Sequence, residues 1–223
     1  MVDKEKQLLE RLEFAVQSSN KRCVFSTSLA WEDQVITHVI FKYDLKINVF
    51  TLDTGRLFPE TYSTLQATLR KYKKPIDVFF PKHDSIEELV STKGPFSFYE
   101  SVDNRKECCF IRKVEPLNRA LEGAGVWITG LRAEQSENRN STGLIETDTS
   151  RNLTKIQPLF DWTLDEIKSF ITENSIPKNA LQDKGFPSIG CQPCTRAISE
   201  NEPIRAGRWW WEDSSKKECG LHR

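Results

Sequence analysis

Five of the six cysteines in this chain of 223 residues fall in settings that could do chemistry. Cys108 and Cys109 are adjacent, Cys191-Gln192-Pro193-Cys194 forms a C-x-x-C, and Cys219 lies in Glu218-Cys219-Gly220-Leu221-His222. The sixth, Cys23, sits in a short apolar stretch and reads as ordinary core. Four thiolates divided between an adjacent pair and a distant C-x-x-C can close around one metal centre. On their own they suit structural zinc as well as an iron–sulfur cluster. Adjacent residues on a helix point about 100° apart, which is awkward for one small ion and easier for a cluster with separate corners. Cys219 is then left as a nucleophile, with Lys216, Lys217 and His222 supplying the positive setting that lowers a thiol pKa. A metal centre with a spare reactive thiol implies redox sulfur chemistry.

Such residues need a scaffold, and length and composition allow one globular domain with a full core, at 38% hydrophobic residues. Lysine plus arginine (32) balances aspartate plus glutamate (32), which gives no overall electrostatic case for nucleic acid or a membrane surface. Anion binding must therefore be local. The first residues lack the apolar run of a signal peptide, and no stretch of about 18 apolar residues occurs, so a cytoplasmic protein is expected. Thiols stay reduced there, which favours metal binding or catalysis over disulfides.

Hydrophobic periodicity predicts helices over residues 6–17, 29–41, 59–72, 85–90, 107–121 and 161–174, with Ser85 capping the fourth and Pro116 interrupting the fifth. Thr163 and Glu166 form a capping box that marks the last of these as the clearest helix. Strands are predicted at 23–25, 47–52, 76–80, 125–129 and 155–160, and 133–153 reads as a polar, mobile loop. Strands alternating with helices imply an α/β protein with a mostly parallel sheet covered on both faces. In such sheets ligands sit beyond the carboxyl ends of the strands. Ser26-Thr27-Ser28, Leu52-Asp53-Thr54-Gly55 and Thr129-Gly130-Leu131-Arg132 occupy those ends. The first also leads into a helix, where hydroxyls and free N–H groups make a cradle for phosphate or sulfate. A serine-threonine turn that merely caps the helix reads equally well from that segment alone.

Ser26-Thr27-Ser28-Leu29-Ala30-Trp31-Glu32-Asp33 resembles the modified pyrophosphate-binding loop of the assimilatory adenylyl-sulfate and phosphoadenylyl-sulfate reductases. Leu52-Asp53-Thr54-Gly55, Thr129-Gly130-Leu131-Arg132, Arg205-Ala206-Gly207-Arg208-Trp209-Trp210-Trp211-Glu212 and Glu218-Cys219-Gly220-Leu221-His222 match further signatures of that family in the same order. The resemblance spans nearly the whole chain. It implies a Rossmann-like sheet of the adenine nucleotide alpha hydrolase-like, pyrophosphate-loop type, within a single reductase domain over 1–223. The nucleotide-binding core would cover about 1–180, and an irregular tail from about 181 would carry the nucleophile. Ala30 and Trp31 depart from the pattern, standing where glycine and a smaller apolar residue are expected, which would narrow the loop.

The resemblance also implies roles. The tandem pair with the C-x-x-C marks the iron–sulfur members, which are of the adenylyl-sulfate reductase type, and assigns Cys108, Cys109, Cys191 and Cys194 to a [4Fe-4S] cluster. Ser26, Thr27, Ser28, Asp33, Leu52 and Gly130 would hold the nucleotide, and Lys113, Arg132, Arg139, Arg205, Arg208 and His222 would meet the charge of sulfate and α-phosphate. Cys219, with His222, would attack the sulfonyl sulfur and become an S-sulfocysteine. No thioredoxin-like domain accompanies these motifs, so thioredoxin, or glutaredoxin, is expected as a separate reductant. The implied activity is reduction of adenylyl sulfate to sulfite and AMP, in sulfate assimilation and cysteine biosynthesis, with phosphoadenylyl sulfate as sole or second substrate the alternative. The tryptophan run would pack the tail and let it close as a lid over substrate. An ATP-dependent adenylating or thiolating enzyme is the competing class, weakened because the loop lacks Ser-Gly-Gly-x-Asp-Ser. A zinc-stabilised nucleotide-binding module would leave Cys219 without a task.

Overall fold

A computed structural model of the chain describes residues 3–135 and 143–213. The chain divides into two compact units, the first formed by Met1–Thr51, Glu60–Asp77 and Gly123–Asn179, the second by Leu52–Pro59, Val78–Glu122 and the chain from Ala180 on.

The first unit holds most of a largely parallel sheet. β1 (Arg22–Ser26), β2 (Asn48–Leu52), β3 (Asp77–Phe79), β4 (Ala124–Ile128), β5 (Ile145–Asp148) and β6 (Leu153–Ile156) form one sheet in the order β3-β2-β1-β4-β6-β5. β1 pairs in parallel with β2 and β4, and β4 with β6. β5 runs antiparallel to β6, with Ile145 opposite Ile156. The segment expected to be a loop over 133–153 therefore contains an edge strand. Its sequence, Ile-Glu-Thr-Asp, is half exposed and offers one apolar side chain, too little for a visible two-residue period.

Helices α1 (Lys4–Gln17), α2 (Trp31–Lys42), α3 (Pro59–Tyr72) and α7 (Leu164–Glu173) accompany this sheet. α2 is buried from Trp31 to Phe41, as a helix enclosed on all sides must be, and Val35, Ile36, Val39 and Ile40 join Phe25, Val126, Ile128 and Ile156 in the core. The capping box of α7 forms as read, with Glu166 N–H donating to Thr163 Oγ1 and Thr163 N–H to Glu166 Oε2. Trp31 packs at the start of α2, donating from Nε1 to the Asn179 carbonyl at 3.2 Å.

A buried histidine is expected to make this unit acid-sensitive. His38 Nδ1 lies 2.8 Å from the Tyr72 hydroxyl, and its ring meets Phe170 edge-on. Burial, reinforced by Lys71 and Lys42 against the weaker pull of Glu5 and a hydrogen bond with Asn174, lowers its pKa to about 4. The unfolded chain regains an ordinary histidine near 6.5 and so binds more protons below that pH. Stability from this site is complete above about pH 6.5 and is lost as pH falls towards 4. Urea midpoints of the parent are expected to drop between pH 7 and pH 5, and those of His38→Leu to drop less; equal slopes would discount the site.

The second unit contains α4 (His83–Lys93), α5 (Val102–Cys109) and α6 (Glu115–Leu121). α4 begins two residues before the expected cap, with Lys82 at its N-cap position, so Ser85 lies inside the helix and caps nothing. The expected helix 107–121 begins earlier and is interrupted upstream of Pro116. Between α5 and α6 the backbone makes a π-helical turn over Phe110–Val114, closed by Glu115 N–H donating to the Phe110 carbonyl. Pro116 sits in the first turn of α6, where its missing N–H costs least. Single π turns inside helices concentrate at functional sites.

Candidate active site

The π turn puts Arg112 and Lys113 on the same cavity as Cys108 and Cys109. Cys191 and Cys194 complete the thiol lining, together with Arg56, Arg105 and Phe98. All four cysteines are buried and free. A backbone lattice holds the C-x-x-C in place: Gln192 N–H donates to the Arg56 carbonyl at 2.8 Å, Trp209 N–H to the Cys194 carbonyl at 3.1 Å, and Arg196 N–H to the Gly207 carbonyl at 3.0 Å. A Cβ on Gly207 would collide with the Arg196 carbonyl, so this pairing requires glycine.

The electrostatics of the cavity are one-sided. Its ionisable lining is four cysteines and four cations, with no carboxylate. Arg105, fully buried, pairs with Glu212 through two bonds of 2.9 and 2.8 Å, and it also hydrogen-bonds Cys109. Arg112 donates to the Thr54 carbonyl at 2.6 Å and hydrogen-bonds Cys108. Thr54 Oγ1 lies 3.3 Å from Cys191 Sγ. Burial, and next the Arg112 charge, hold the Arg56 pKa below its usual range. Among the described residues, Arg112 Nε and Arg56 Nη1 are buried with no hydrogen-bond partner. Leaving such donors unsatisfied costs about 1–3 kcal/mol each, so they suit an acceptor group at the cavity.

The thiols respond unequally. Burial and the nearby Cys191 push Cys194 up to about 12, and burial raises Cys108. Burial also acts on Cys191, but Lys113, the Thr54 hydrogen bond, Arg208 and Arg112 together carry it below the ordinary thiol value. Among the described residues no three His, Cys, Asp or Glu side chains converge closely enough to hold a single metal ion. A tetrahedral zinc would draw its thiolates to within about 4 Å of one another, given Zn–S bonds of about 2.3 Å.

Residues foreseen as nucleotide contacts divide between the units. In the first, the loop after β1 turns on Leu29, which takes the left-handed φ of 63°, while Ala30 is extended at φ −77°. The position that favours glycine is therefore Leu29, and Ala30 imposes no backbone strain. Each hydroxyl of the loop has an internal contact: Trp127 Nε1 donates to Ser26 Oγ at 2.9 Å, Leu29 N–H to Thr27 Oγ1 at 3.0 Å, and Ser28 Oγ donates to Asp33 Oδ2 at 2.5 Å. Asp33 also accepts from the backbone N–H of Ser28 at 2.6 Å and from Gly130. Its pKa rises to about 7, mainly through burial, with Ser28 opposing the shift. A Cβ on Gly130 would strike Asp33 Oδ1, which explains glycine there. Arg132 is buried between Glu32, at 3.0 Å, and Glu134, at 2.6 Å, so its charge is met within the protein. At the carboxyl ends of β4 and β6, Thr129 Oγ1 and Gln157 Nε2 are buried without partners among the described residues.

In the second unit Leu52 is half-buried at the end of β2, Lys113 faces the cysteine cavity and Arg205 is half-buried. Arg208 is buried, its guanidinium 4.7 Å from the Trp209 ring centre, with Arg105 at 4.7 Å from the same ring. Removing Arg208 would thus take packing as well as charge. Arg139, Cys219 and His222 lie outside the described residues. Arg56, Arg105, Arg112 and Gln157 escaped the sequence reading, being single residues without a spacing signal.

Comparison with known proteins decides the family. Residues 22–197 match the model of the phosphoadenosine phosphosulfate reductase domain. The chain belongs to the phosphoadenosine phosphosulfate reductase family. A protein of Agrobacterium fabrum strain C58 named adenosine 5'-phosphosulfate reductase is 51% identical over 215 residues, covering 96% of this chain and 82% of the relative. Among solved structures, a phosphoadenylyl-sulfate reductase from Candida auris in complex with phosphate superposes with TM-score 0.71 at 30% identity, over 86% of this chain and 90% of that one. Candida glabrata FMN adenylyltransferase shares the fold at 15% identity and TM-score 0.56, over 94% of this chain and 75% of that one. The α/β architecture is shared with these reductase and adenylyltransferase structures. No helix among the described residues is long and apolar enough to cross a membrane.

Proposed function

We propose that this reductase converts adenylyl sulfate to sulfite and AMP in sulfate assimilation, with a dithiol protein, thioredoxin, as reductant. One observation carries the reading: in a member of this family, four buried cysteines and four cations line one cavity that has no carboxylate. Half-identity to a relative named for adenosine 5'-phosphosulfate, against 30% to one named for phosphoadenylyl sulfate, favours the nucleotide without a 3'-phosphate.

The donor set fits a [4Fe-4S] cluster held by Cys108, Cys109, Cys191 and Cys194. Its anionic sulfur core would accept from the unpartnered donors of Arg112 and Arg56 and offset the surplus positive charge. When bound, such a cluster supplies a compact inorganic core that ties the tandem pair to the C-x-x-C and sets the local field.

The hydroxyls of Ser26, Thr27 and Thr129, beside Gly130, donate to the nucleotide, and Lys113, Arg139, Arg205, Arg208 and His222 meet the charge of its sulfate and α-phosphate. The Cys219 thiolate attacks the sulfonyl sulfur, the S–O bond to the phosphate breaks, and AMP leaves with that electron pair. An S-sulfocysteine remains. One thiolate of the carrier attacks the cysteine sulfur and expels sulfite; its second thiol then resolves the mixed disulfide, leaving the carrier oxidised and Cys219 reduced. The test is sulfite production with reduced thioredoxin and each nucleotide in turn. Turnover with adenylyl sulfate at least tenfold more efficient than with the 3'-phosphorylated form is expected; the reverse ranking would reassign the substrate, and no turnover with either would discard the reading.

A further inference from the structure

The second unit carries an exposed aromatic surface that the chemistry above leaves unused. Phe96 is 61% exposed, Tyr99 41% and Trp210 40%. They form one patch: Phe96 lies 6.4 Å from Tyr99, and Tyr99 lies 6.4 Å from Trp210 and 4.4 Å from Trp211, with Phe98 beneath at 4.4 Å. Apolar surface of this kind, grouped and rimmed by polar residues, marks interaction sites.

The patch is fastened to the cysteine cavity. The Tyr99 hydroxyl donates to the Pro193 carbonyl, inside the C-x-x-C, at 2.6 Å. Arg56, a cavity residue, donates to the Pro95 carbonyl at 2.5 Å and lies 6.0 Å from the Phe96 ring and 4.9 Å from that of Phe98. Trp210 is three residues before Asp213, where the described chain ends, and Cys219 follows six residues later. Six residues reach at most about 20 Å. The tether is therefore short enough to bring Cys219 to a protein seated on Phe96, Tyr99 and Trp210.

We infer that Phe96, Tyr99 and Trp210 are the docking surface for the dithiol carrier protein that discharges Cys219. The inference rests on the reaction proposed above. A carrier must expose its attacking thiol, so the protein surface around that thiol is what it can offer for recognition, and rigid aromatic rings supply large contact area at low entropic cost. A second copy of the chain is the other possible occupant of such a patch, and the test separates the two.

Holoenzyme and Phe96→Gln are compared in three assays: the KM for reduced thioredoxin, the single-turnover yield of S-sulfocysteine without reductant, and discharge of that adduct by dithiothreitol. The variant is expected to raise the thioredoxin KM about tenfold or more, with the other two unchanged. Phe96→Leu, which keeps an apolar side chain, should recover most of the loss. An unchanged KM overturns the inference, as does an equal fall in discharge by dithiothreitol, which would show a local packing defect. Loss of a dimer in sedimentation with KM unaffected would assign the patch to self-association instead. Should the parent form no S-sulfocysteine, the proposed reaction itself fails and the docking surface falls with it.

Discussion

Cys219→Ser is expected to abolish sulfite release from adenylyl sulfate, on the order of a thousandfold or more, as loss of a covalent nucleophile does elsewhere. Mixed with adenylyl sulfate and no reductant, the parent should gain one sulfonate on the peptide containing Glu218-Cys219-Gly220, and thioredoxin should remove it as sulfite. The other thiols are unsuited to that role. Cys23 is buried in the core of the first unit and burial pushes it up to about 12, so it supplies almost no thiolate at neutral pH. Cys108, Cys109, Cys191 and Cys194 are buried around one cavity and are assigned to the cluster. A nucleophile that must meet both a nucleotide and a carrier protein needs access, and none of the five described cysteines has it. Cys219→Ser should keep its colour and its nucleotide affinity, since the metal and anion contacts are assigned to other residues. Turnover surviving in this variant would defeat the mechanism; loss of colour would show that the cysteines had been divided wrongly between metal and chemistry.

What sequence could reveal followed from how local each cause is. The helix α7 was legible because its cap, its acidic first turn and its apolar stripe all lie within about a dozen residues. The α/β alternation was legible for the same reason, and so were the cysteine groups, whose residue type is itself chemical. β5 was not, because an edge strand held by one neighbour needs little hydrophobic pattern. The π turn at Phe110–Val114 is a backbone event without a residue code, yet it decides that Arg112 and Lys113 share a cavity with Cys108 and Cys109. The pairing of Arg105 with Glu212 spans 107 residues, beyond any periodicity. The left-handed turn at Leu29 contradicted local expectation outright: the chain accepts strain at a buried leucine, next to the loop hydroxyls.

Replacing Cys108 or Cys194 by serine is expected to bleach the protein. Anaerobically purified parent should be brown, with about four irons and four sulfides per chain, because two cysteine pairs supply the four thiolates a [4Fe-4S] cluster takes. Serine cannot reproduce the soft thiolate, and the unpartnered donors of Arg112 and Arg56 would again lack an acceptor among like charges. The variants should therefore also melt earlier than the parent. Cys23→Ser is the control: that thiol belongs to the apolar core and lies outside the cysteine cavity, so the protein should remain coloured while losing stability on the order of 1 kcal/mol from a buried hydroxyl. Metal analysis and the visible spectrum read the outcome without any assay of turnover. Zinc at about one per chain with no iron would overturn the cluster, and would also require the four thiols to move together from the walls of the cavity, where no three of the described ligand-type side chains now meet at single-ion spacing.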